Sequence, residues 1–498
     1  MAREGYRSNE RQGFRDQYPS EQVVMDRRLA LGILGVAVLS TVAGFRSFFH
    51  HRAEFAATVK QVEARLGIKR PLEKLPKGCL IPEDERGGKN FLTSLVPKFS
   101  PFPVVGGYSF ENNLSPQTDP LLAALPKDAH VRLLVPEESS DEALKYVQNK
   151  FPHLSFTTHG LPLAEDGYTY PQDMVSATGS VDEAGRFILA GSALEAKDFA
   201  SCKQTYESTK RAVASLVPLR AVSDSLSNED TIEEAGAVLH EFGDEILAER
   251  HGDSFTLKYV PVMTEGGDLK ITRLPNGGIG LIVGKLNLSR TIMSMQLAEN
   301  PGVADLKMLN EVGRDKFVVL LEKVKALYKE YFAVDEVIII DEPYIRGEAR
   351  RNGYVRHSGL RSYGFFHCDM LVRTATDQNG KAVAFCSSSN MRDRGDGGNC
   401  RYLFRVQEQF ASLGYDVESM ETGQYPSMNY ANSVMFRNGE AKVVLVPQYG
   451  IRQDAAAVEA YRRRGFEVRV VDQSYIQKLP PEDKALVGGP DCKLVVLG

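Results

Sequence analysis

The chain has 498 residues, of which 43% are hydrophobic, 25% are charged and none is tryptophan; this length can bury a large core. A net charge of -5 gives no reason to expect nucleic acid or an anionic membrane surface as the main partner. The six cysteines form no CxxC pair and no zinc-ligand spacing, which excludes a disulfide framework and a zinc module.

The N-terminal segment combines a polar tail with an apolar stretch. Residues 1–28 are polar and rich in arginine, which predicts a disordered tail. Residues 29–45 are 17 consecutive uncharged and mostly apolar residues, at the short end of the ~17–25 that a membrane-spanning helix needs. We predict a transmembrane anchor or a signal segment here, and a membrane-anchored protein whose main domain lies outside the cytoplasm.

Two other interpretations of this apolar stretch stay open. It could be a cleaved export signal, since residues 26–29 (DRRL) are similar to a twin-arginine signal, or an apolar helix packed on the rest of the protein. Lysine and arginine on both sides leave the membrane orientation undecided. Residues 46–125 are predicted to be a tether and an extension, because parts of this range are rich in Pro, Lys and Gly.

From residue 126 to residue 498 the sequence alternates between strand and helix patterns, which predicts one α/β body built from repeated units that close into a ring. The repeat is too long and uneven for a short solenoid. The predicted strands are 130–136, 154–156, 186–191, 278–283, 337–340, 382–385, 442–447, 467–471 and 493–496, and the predicted helices are 141–150, 194–216, 230–250, 308–332, 401–413 and 454–464.

Two acidic motifs lie in loops of this body. Gln172 and Asp173 are, by themselves, only a polar dipeptide. Residues 265–268 (EGGD) follow an apolar run, and paired glycines let a backbone turn sharply or approach a ligand closely. Glu265 could therefore project into a pocket, although an acidic hairpin turn fits the same residues.

A histidine and a carboxylate lie two residues apart in a segment predicted to be a strand, residues 363–372. In a strand, His367 and Asp369 would share one face and Cys368 would point to the other. A histidine beside a carboxylate can carry a proton near neutral pH. The alternative is a structural histidine at the end of a strand.

Cys492 follows a Gly-Gly-Pro turn and precedes the last predicted strand. A free thiol with a pKa of ~8.5 is only slightly ionised at pH 7, so it needs a nearby cation or histidine to become a nucleophile. The alternative is a buried cysteine close to the end of the chain.

In this order the motifs resemble the pentein superfamily, the guanidino-group-modifying enzymes, over about residues 125–498. Residues 170–173 are similar to peptidylarginine deiminases, residues 265–268 to arginine deiminase, and the C-terminal part to agmatine deiminase. The other segments that carry the resemblance are 282–284 (IVG), 290–291 (RT), 425–432 (YPSMNYAN), 446–450 (VPQYG), 454–456 (DAA) and 488–492 (GGPDC). The resemblance implies an α/β fold that is a five-bladed, pseudo-symmetric ββαβ propeller, here preceded by the hydrophobic segment and the extension.

The resemblance also implies a role for each motif. Cys492 would be the nucleophile and His367 the general acid and base. Asp173 and Asp369 would bind the guanidinium nitrogens, and Glu265 would orient His367 or share in that binding. A guanidinium is always charged and offers five donors in one plane, so facing carboxylates suit it.

Two further residues are candidates for substrate binding. Asp268 closes the EGGD motif, and Arg394 lies in a basic loop with Arg392 and Arg401, which could hold a substrate carboxylate or could simply be solvated. The implied chemistry needs no metal and no organic cofactor.

The implied reaction is hydrolysis of a guanidino group, converting arginine, agmatine or peptidyl-arginine to a ureido product and ammonia through a covalent cysteine intermediate. An amidinotransferase using the same residues and a non-catalytic arginine-binding module are the alternatives. The chain departs from the family pattern at Asp491, where agmatine and peptidylarginine deiminases carry histidine and arginine deiminase carries arginine. Tyr170 stands where peptidylarginine deiminases have tryptophan.

Overall fold

The structure is a computed structural model in which one compact unit, Glu63–Gly498, contains all the residues described below. The residues that the structure describes are 72–94, 118–136, 140–161, 175–193, 244, 247–288, 291–292, 311–352, 354–356, 367–389, 397–423, 425, 428–478 and 489–498.

Short strands alternate with helices along these residues. The strands are β1 (Asn90–Ser94), β2 (His130–Pro136), β3 (Ser155–Leu161), β4 (Ala177–Val181), β5 (Phe187–Ser192), β6 (Phe255–Val260), β7 (Leu269–Arg273), β8 (Ile279–Val283), β9 (Glu311–Gly313), β10 (Glu336–Ile339), β11 (Tyr354–Arg356), β12 (Val372–Thr376), β13 (Ala382–Ser388), β14 (Asp416–Glu421), β15 (Val434–Asn438), β16 (Ala441–Gln448), β17 (Glu467–Asp472) and β18 (Leu494–Val496). The helices are α1 (Asp119–Ala124), α2 (Ser140–Lys150), α3 (Arg314–Tyr331), α4 (Glu342–Asn352), α5 (Gly397–Ser412), α6 (Asp454–Arg463) and α7 (Pro490–Lys493). The α/β class predicted from the sequence is confirmed.

Four three-stranded sheets share one pattern, with orders β4-β5-β6, β7-β8-β10, β12-β13-β14 and β15-β16-β17. In each sheet the first strand pairs antiparallel with the second, and the third pairs parallel with the second. A helix precedes the third strand in three of them, namely α3, α5 and α6. Three of the four sheets are therefore ββαβ units.

A four-stranded sheet, β18-β1-β2-β3, joins the two ends of the described chain. Strand β1 lies between β18, to which it is antiparallel, and β2, to which it is parallel. The segment predicted as tether and extension, residues 46–125, thus supplies β1 to the body. The pairing of Phe91 with Val496 fixes the position of the turn that carries Cys492, just before β18.

Most of the predicted strands and helices occur close to the expected positions. The strands missed from the sequence are short partners such as β4 (ATGSV), β7 (LKITR) and β15 (VMFRN). Each has only five residues, and pairing with the apolar second strand stabilises it more than its own composition does. The helices predicted at 194–216 and 230–250 lie largely outside the described residues.

The prediction of a membrane-anchored protein with its main domain outside the cytoplasm is contradicted. Among the described residues, no helix is both long and apolar enough to cross a bilayer. Helix α3, with 18 residues, has the length but carries charged residues along its course. Residues 29–45, on which the predicted anchor, the membrane partner and the location rested, lie outside the described residues.

Arg86 connects separate sheets at the turn that precedes β1. Its Nη1 donates to the carbonyl of Val496 at 2.6 Å, its Nη2 to that of Ala177 at 3.0 Å, and its Nε to that of Ile81 at 2.9 Å. Burial lowers the pKa of Arg86 to about 10, although the nearby carboxylates Glu83 and Asp491 oppose this shift. The guanidinium therefore holds β18 and β4 together through backbone carbonyls.

We expect Arg86→Met to lower the free energy of unfolding by about 2–4 kcal/mol, because buried carbonyls lose their donor and no side chain replaces it. Urea unfolding measures this loss. Arg437→Met removes an exposed guanidinium from β15 and should change the stability by at most about 0.5 kcal/mol. Equal stability of the two variants would contradict a structural role for Arg86.

Candidate active site

The sequence-predicted site residues that the structure describes lie in turns that directly precede short strands. Glu265 stands before the 3-10 turn Gly266–Asp268 and β7, and His367 stands before the 3-10 turn Cys368–Met370 and β12. Cys492 lies in α7, directly before β18. The prediction of a strand through His367 is wrong, because the chain turns at Cys368–Met370 and the strand begins only at Val372.

The thiol of Cys492 lies between a hydrogen-bond donor and an acceptor. The Asn432 amide Nδ2 donates to Sγ at 3.1 Å, and Sγ donates to Asp369 Oδ2 at 3.3 Å. Cys492 is 5% exposed, and Asn432 and Asp369 are fully buried. The cysteine and one predicted guanidinium-binding carboxylate are thus in direct contact, although 123 positions separate them in the sequence.

The imidazole of His367 contacts a buried carboxylate. Its Nε2 lies 2.5 Å from Glu265 Oε1. Asn287 holds the backbone of Glu265 from both sides, since its Oδ1 accepts from the Glu265 N–H at 3.2 Å and its Nδ2 donates to the Glu265 carbonyl at 3.0 Å. The position of the carboxylate beside the histidine is therefore fixed by a residue that follows β8.

Asp268 joins the turn of Glu265 to the turn of His367. Its Oδ2 accepts from the N–H of Asn287 at 2.8 Å, and its Oδ1 accepts from the N–H of Cys368 at 3.1 Å. Burial and the charge of Glu265 raise the pKa of Asp268 to about 7, while His367 and the two backbone donors oppose this shift. Because backbone donors occupy both oxygens, Asp268 is better suited to position His367 than to bind substrate directly.

Asp491, which departs from the family pattern, is directed into a buried ion cluster. Its carboxylate contacts the Arg373 guanidinium and lies 2.8 Å from Lys270 Nζ. Burial alone would raise the pKa of Asp491, but the charges of Arg373 and Lys270 outweigh burial and lower it. Asp491 is therefore an ionised partner of two cations.

Lys493, on the other side of Cys492, is a buried amine. It is 2% exposed, and its Nζ donates to the Tyr475 hydroxyl at 3.2 Å. Within the described residues no carboxylate forms an ion pair with it. Burial lowers the pKa of Lys493 to about 7, and the negative charge of a Cys492 thiolate would raise it. The amine is thus electrostatically linked to the state of the thiol.

The structure brings together Cys492 with Asp369, and His367 with Glu265. Asp173, its neighbour Gln172, and Arg394 lie outside the described residues. Sequence reasoning assigned no role to Asn287, Asn432 or Lys493. Asn432 belongs to residues 425–432, which already carried the family resemblance, so the sequence offered a reason to consider it. Asn287 has no distinctive motif around it. Among the described residues no group of His, Cys, Asp and Glu has a metal-binding arrangement.

No family model and no curated protein sequence matches the chain. The fold is similar to that of the agmatine deiminase of C. jejuni, with a TM-score of 0.44 and 14% identity over 84% of this chain and 94% of that one. It is also similar to the agmatine deiminase of Enterococcus faecalis, with a TM-score of 0.46 and 12% identity over 86% of this chain and 98% of that one.

We expect Gly284→Ala to displace Asp268, because a Cβ at position 284 would lie 1.5 Å from Asp268 Oδ1. The carboxylate would lose its bond to the Cys368 N–H and the His367 turn would shift. The expected results are a loss of at least about 2 kcal/mol of stability and reduced turnover. Thermal unfolding and the assay described below measure both effects.

The control is Gly347→Ala, in helix α4, where a Cβ meets no atom within 4 Å. Alanine favours a helix over glycine, so this variant should gain up to about 1 kcal/mol of stability. Unchanged turnover and stability in Gly284→Ala would show that the contact between Asp268 and Cys368 does not position the turn.

We expect the stability difference between Lys493→Met and the native chain to depend on pH. The folded pKa of Lys493 is below its ordinary value of 10.5, so the unfolded chain binds more protons between about pH 7 and 10 and native stability rises with pH there. The advantage of the methionine variant should therefore shrink by about 2 kcal/mol between pH 7 and 9. Urea unfolding at both pH values measures it.

Lys127→Met, which changes an exposed lysine, is the control and should show no such dependence. A constant difference for Lys493→Met over this pH range would mean that Lys493 is protonated in the folded protein at pH 9.

Proposed function

We propose that the chain is a hydrolase of guanidino groups, a deiminase in which Cys492 is the nucleophile and His367 the proton carrier. The contact that carries the proposal is Cys492 Sγ to Asp369 Oδ2, at 3.3 Å. It places a thiol against a buried carboxylate two residues from a histidine that contacts Glu265. A thiol, two carboxylates and a histidine in adjacent turns suit attack on a guanidinium carbon.

The carboxylate of Asp369 would bind the substrate. A guanidinium must exchange its water for protein acceptors when it enters a buried site, and a facing carboxylate accepts from its planar donors. A guanidinium bound to Asp369 would place its carbon next to Sγ. Asp173 is proposed, on its sequence alone, as a second carboxylate for the remaining nitrogens.

Substrate binding would also activate the thiol. In the absence of substrate the carboxylate of Asp369 accepts a hydrogen bond from the Cys492 thiol, and its negative charge disfavours a thiolate. A guanidinium on Asp369 neutralises that charge and adds a cation beside the sulfur, which favours the thiolate. The amide of Asn432 donates to the sulfur and favours the thiolate in either state.

The reaction would proceed in two stages. The Cys492 thiol passes its proton to His367 and its sulfur bonds to the guanidinium carbon; His367 then delivers this proton to a departing nitrogen, the C–N bond breaks and ammonia leaves. His367 takes a proton from water, which attacks the same carbon of the S-linked amidino intermediate. The new hydroxyl passes its proton to the sulfur as the C–S bond breaks, the ureido product leaves, and His367 releases its proton to solvent.

The repeated ββαβ units support a finer proposal for the architecture. We propose that the four three-stranded sheets and the β18-β1-β2-β3 sheet are the blades of a five-bladed propeller. The turns that carry Glu265, His367 and Cys492 each precede the first strand of such a sheet. Residues 126–498 would form the catalytic body, completed by β1 from the preceding segment.

We expect the full chain to release ammonia and a ureido product from at least one of arginine, agmatine and an arginine-containing peptide. Cys492→Ala should abolish release, because it removes the thiol that is proposed to form the covalent bond. Cys386→Ala, which changes a fully buried core cysteine of β13, is the matched control and should keep activity. Ammonia and ureido groups are measured in parallel, with thermal unfolding to confirm that each variant is folded.

Release that persists in Cys492→Ala would refute the nucleophile. An absence of ammonia together with transfer of the amidino group to an added primary amine would instead identify an amidinotransferase. Binding of the arginine peptide in calorimetry without any turnover would identify a binding module.

A further inference from the structure

The catalytic turn is attached to the rest of the protein through Asp491. The N–H of Asp491 donates to Asn432 Oδ1 at 3.0 Å, while Asn432 Nδ2 donates to Cys492 Sγ at 3.1 Å. The side-chain amide of Asn432 therefore binds both the backbone of residue 491 and the sulfur of residue 492. Any movement of Asp491 changes the position of the thiol relative to this donor.

The position of Asp491 depends on a guanidinium that two carboxylates share. Arg373 is 4% exposed, contacts Asp491 through Nη2 and donates from Nη1 to Glu83 Oε2 at 2.5 Å. Burial would lower the pKa of Arg373, but the charges of Asp491 and Glu83 raise it. Arg373 is therefore a fixed cation between the two carboxylates.

Glu83 is itself held in place. It lies in the 3-10 turn Glu83–Glu85 before β1, and its Oε1 accepts from the N–H of Met435 at 3.0 Å. One oxygen is thus fixed by strand β15 and the other by Arg373, on β12. The carboxylate has little freedom to leave Arg373.

The charges of this cluster balance only when Glu83 is present. Three cations, Lys270, Arg373 and Arg86, face three carboxylates, Asp491, Glu83 and Asp369. The charge of Arg373 acts against that of Lys270, while Asp491, Asp369 and Glu83 favour it. Without Glu83 the three cations would face one carboxylate fewer, and Lys270 would be drawn more strongly toward Asp369, the carboxylate beside the thiol.

Space for such a rearrangement exists. A cavity of about 50 Å³ is lined by Glu83, Lys270 and Arg373, among other residues. The side chains of the two cations are therefore not confined on every side by packing, so their positions depend on the charges around them.

We propose that Glu83 is a positioning residue for the Cys492 thiol and acts through Arg373 and Asp491. The segment before β1 thus contributes to the site without touching the reacting atoms. The inference that this affects turnover rests on the proposed deiminase function, whereas the effect on the thiol itself does not.

The test compares Glu83→Gln with Glu85→Gln. Glu85 lies in the same 3-10 turn and carries the same charge, but its carboxylate binds Arg273, on β7. Three quantities are measured on the full chain: the rate at which iodoacetamide modifies Cys492, read by mass spectrometry of the peptide that contains it, and kcat and KM on the best guanidino substrate. Thermal unfolding checks that both variants are folded.

We expect Glu83→Gln to change the modification rate of Cys492, and its dependence on pH, by at least five-fold and to lower kcat at least ten-fold with less than three-fold change in KM. Glu85→Gln should stay within two-fold of the native chain in all three quantities. In an Asp491→Asn background, Glu83→Gln should have less than a two-fold further effect. The ion pair between Arg373 and Asp491, through which Glu83 is proposed to act, is already lost in that background.

Equal modification rates and kcat values in folded Glu83→Gln and Glu85→Gln would overturn the proposal, and so would a full Glu83→Gln effect in the Asp491→Asn background. If no guanidino substrate turns over but the modification rate responds to Glu83→Gln alone, the positioning role stands and the proposed function fails.

Discussion

A buried ion cluster fixes the position of Cys492. Asp491 is fully buried between Lys270 and Arg373, and the next residue in the chain is Cys492. Burying an unpaired carboxylate at that depth would cost several kcal/mol of folding free energy. The turn can therefore adopt this position only because both cations pair with Asp491. A carboxylate beside a cysteine that is proposed as a nucleophile looks unfavourable in the sequence, but here Lys270 and Arg373 bind it.

The rest of the site depends on similar constraints between turns. Asp268 ties the turn of Glu265 to the turn of His367 through backbone donors, and Asn432 ties α7 to the segment before β15. Each constraint connects a residue that precedes one sheet with a residue that precedes another. Strands fix the direction of each turn, and the buried polar bonds fix the distances between them, because an unsatisfied buried donor or acceptor is costly.

The sequence predicted the parts of the fold that rely on local pattern and missed those that rely on partners. Apolar second strands such as β13 and β16 were recognised, whereas β4 and β7 were not, because their stability comes from the strand beside them. The membrane anchor was inferred from apolar length alone, and the described helices do not support it.

For the site, the motif residues were identified but their geometry was not. The strand assumed through His367 gave the wrong local conformation, since the 3-10 turn at Cys368–Met370 is stabilised by Asp268, a residue 100 positions earlier. The side chain of Asn287 binds the backbone of Glu265, a contact that requires no recognisable motif in the sequence. The pairing of Asp491 with two distant cations likewise appears only when β7 and β12 lie side by side with α7.

Two opposing contacts on one sulfur suggest why the thiol can be both protected and reactive. Asn432 stabilises negative charge on Sγ, while Asp369 opposes it. If a guanidinium binds Asp369, as proposed, its positive charge offsets that of the carboxylate, so Asp369 no longer opposes negative charge on Sγ. Asn432 and the substrate cation then both stabilise this charge. Burial lowers the pKa of the neighbouring Lys493 amine to about 7, and a thiolate at Cys492 would raise it. Charge would then develop on the sulfur chiefly when a substrate is present, which limits reaction of the cysteine with other electrophiles.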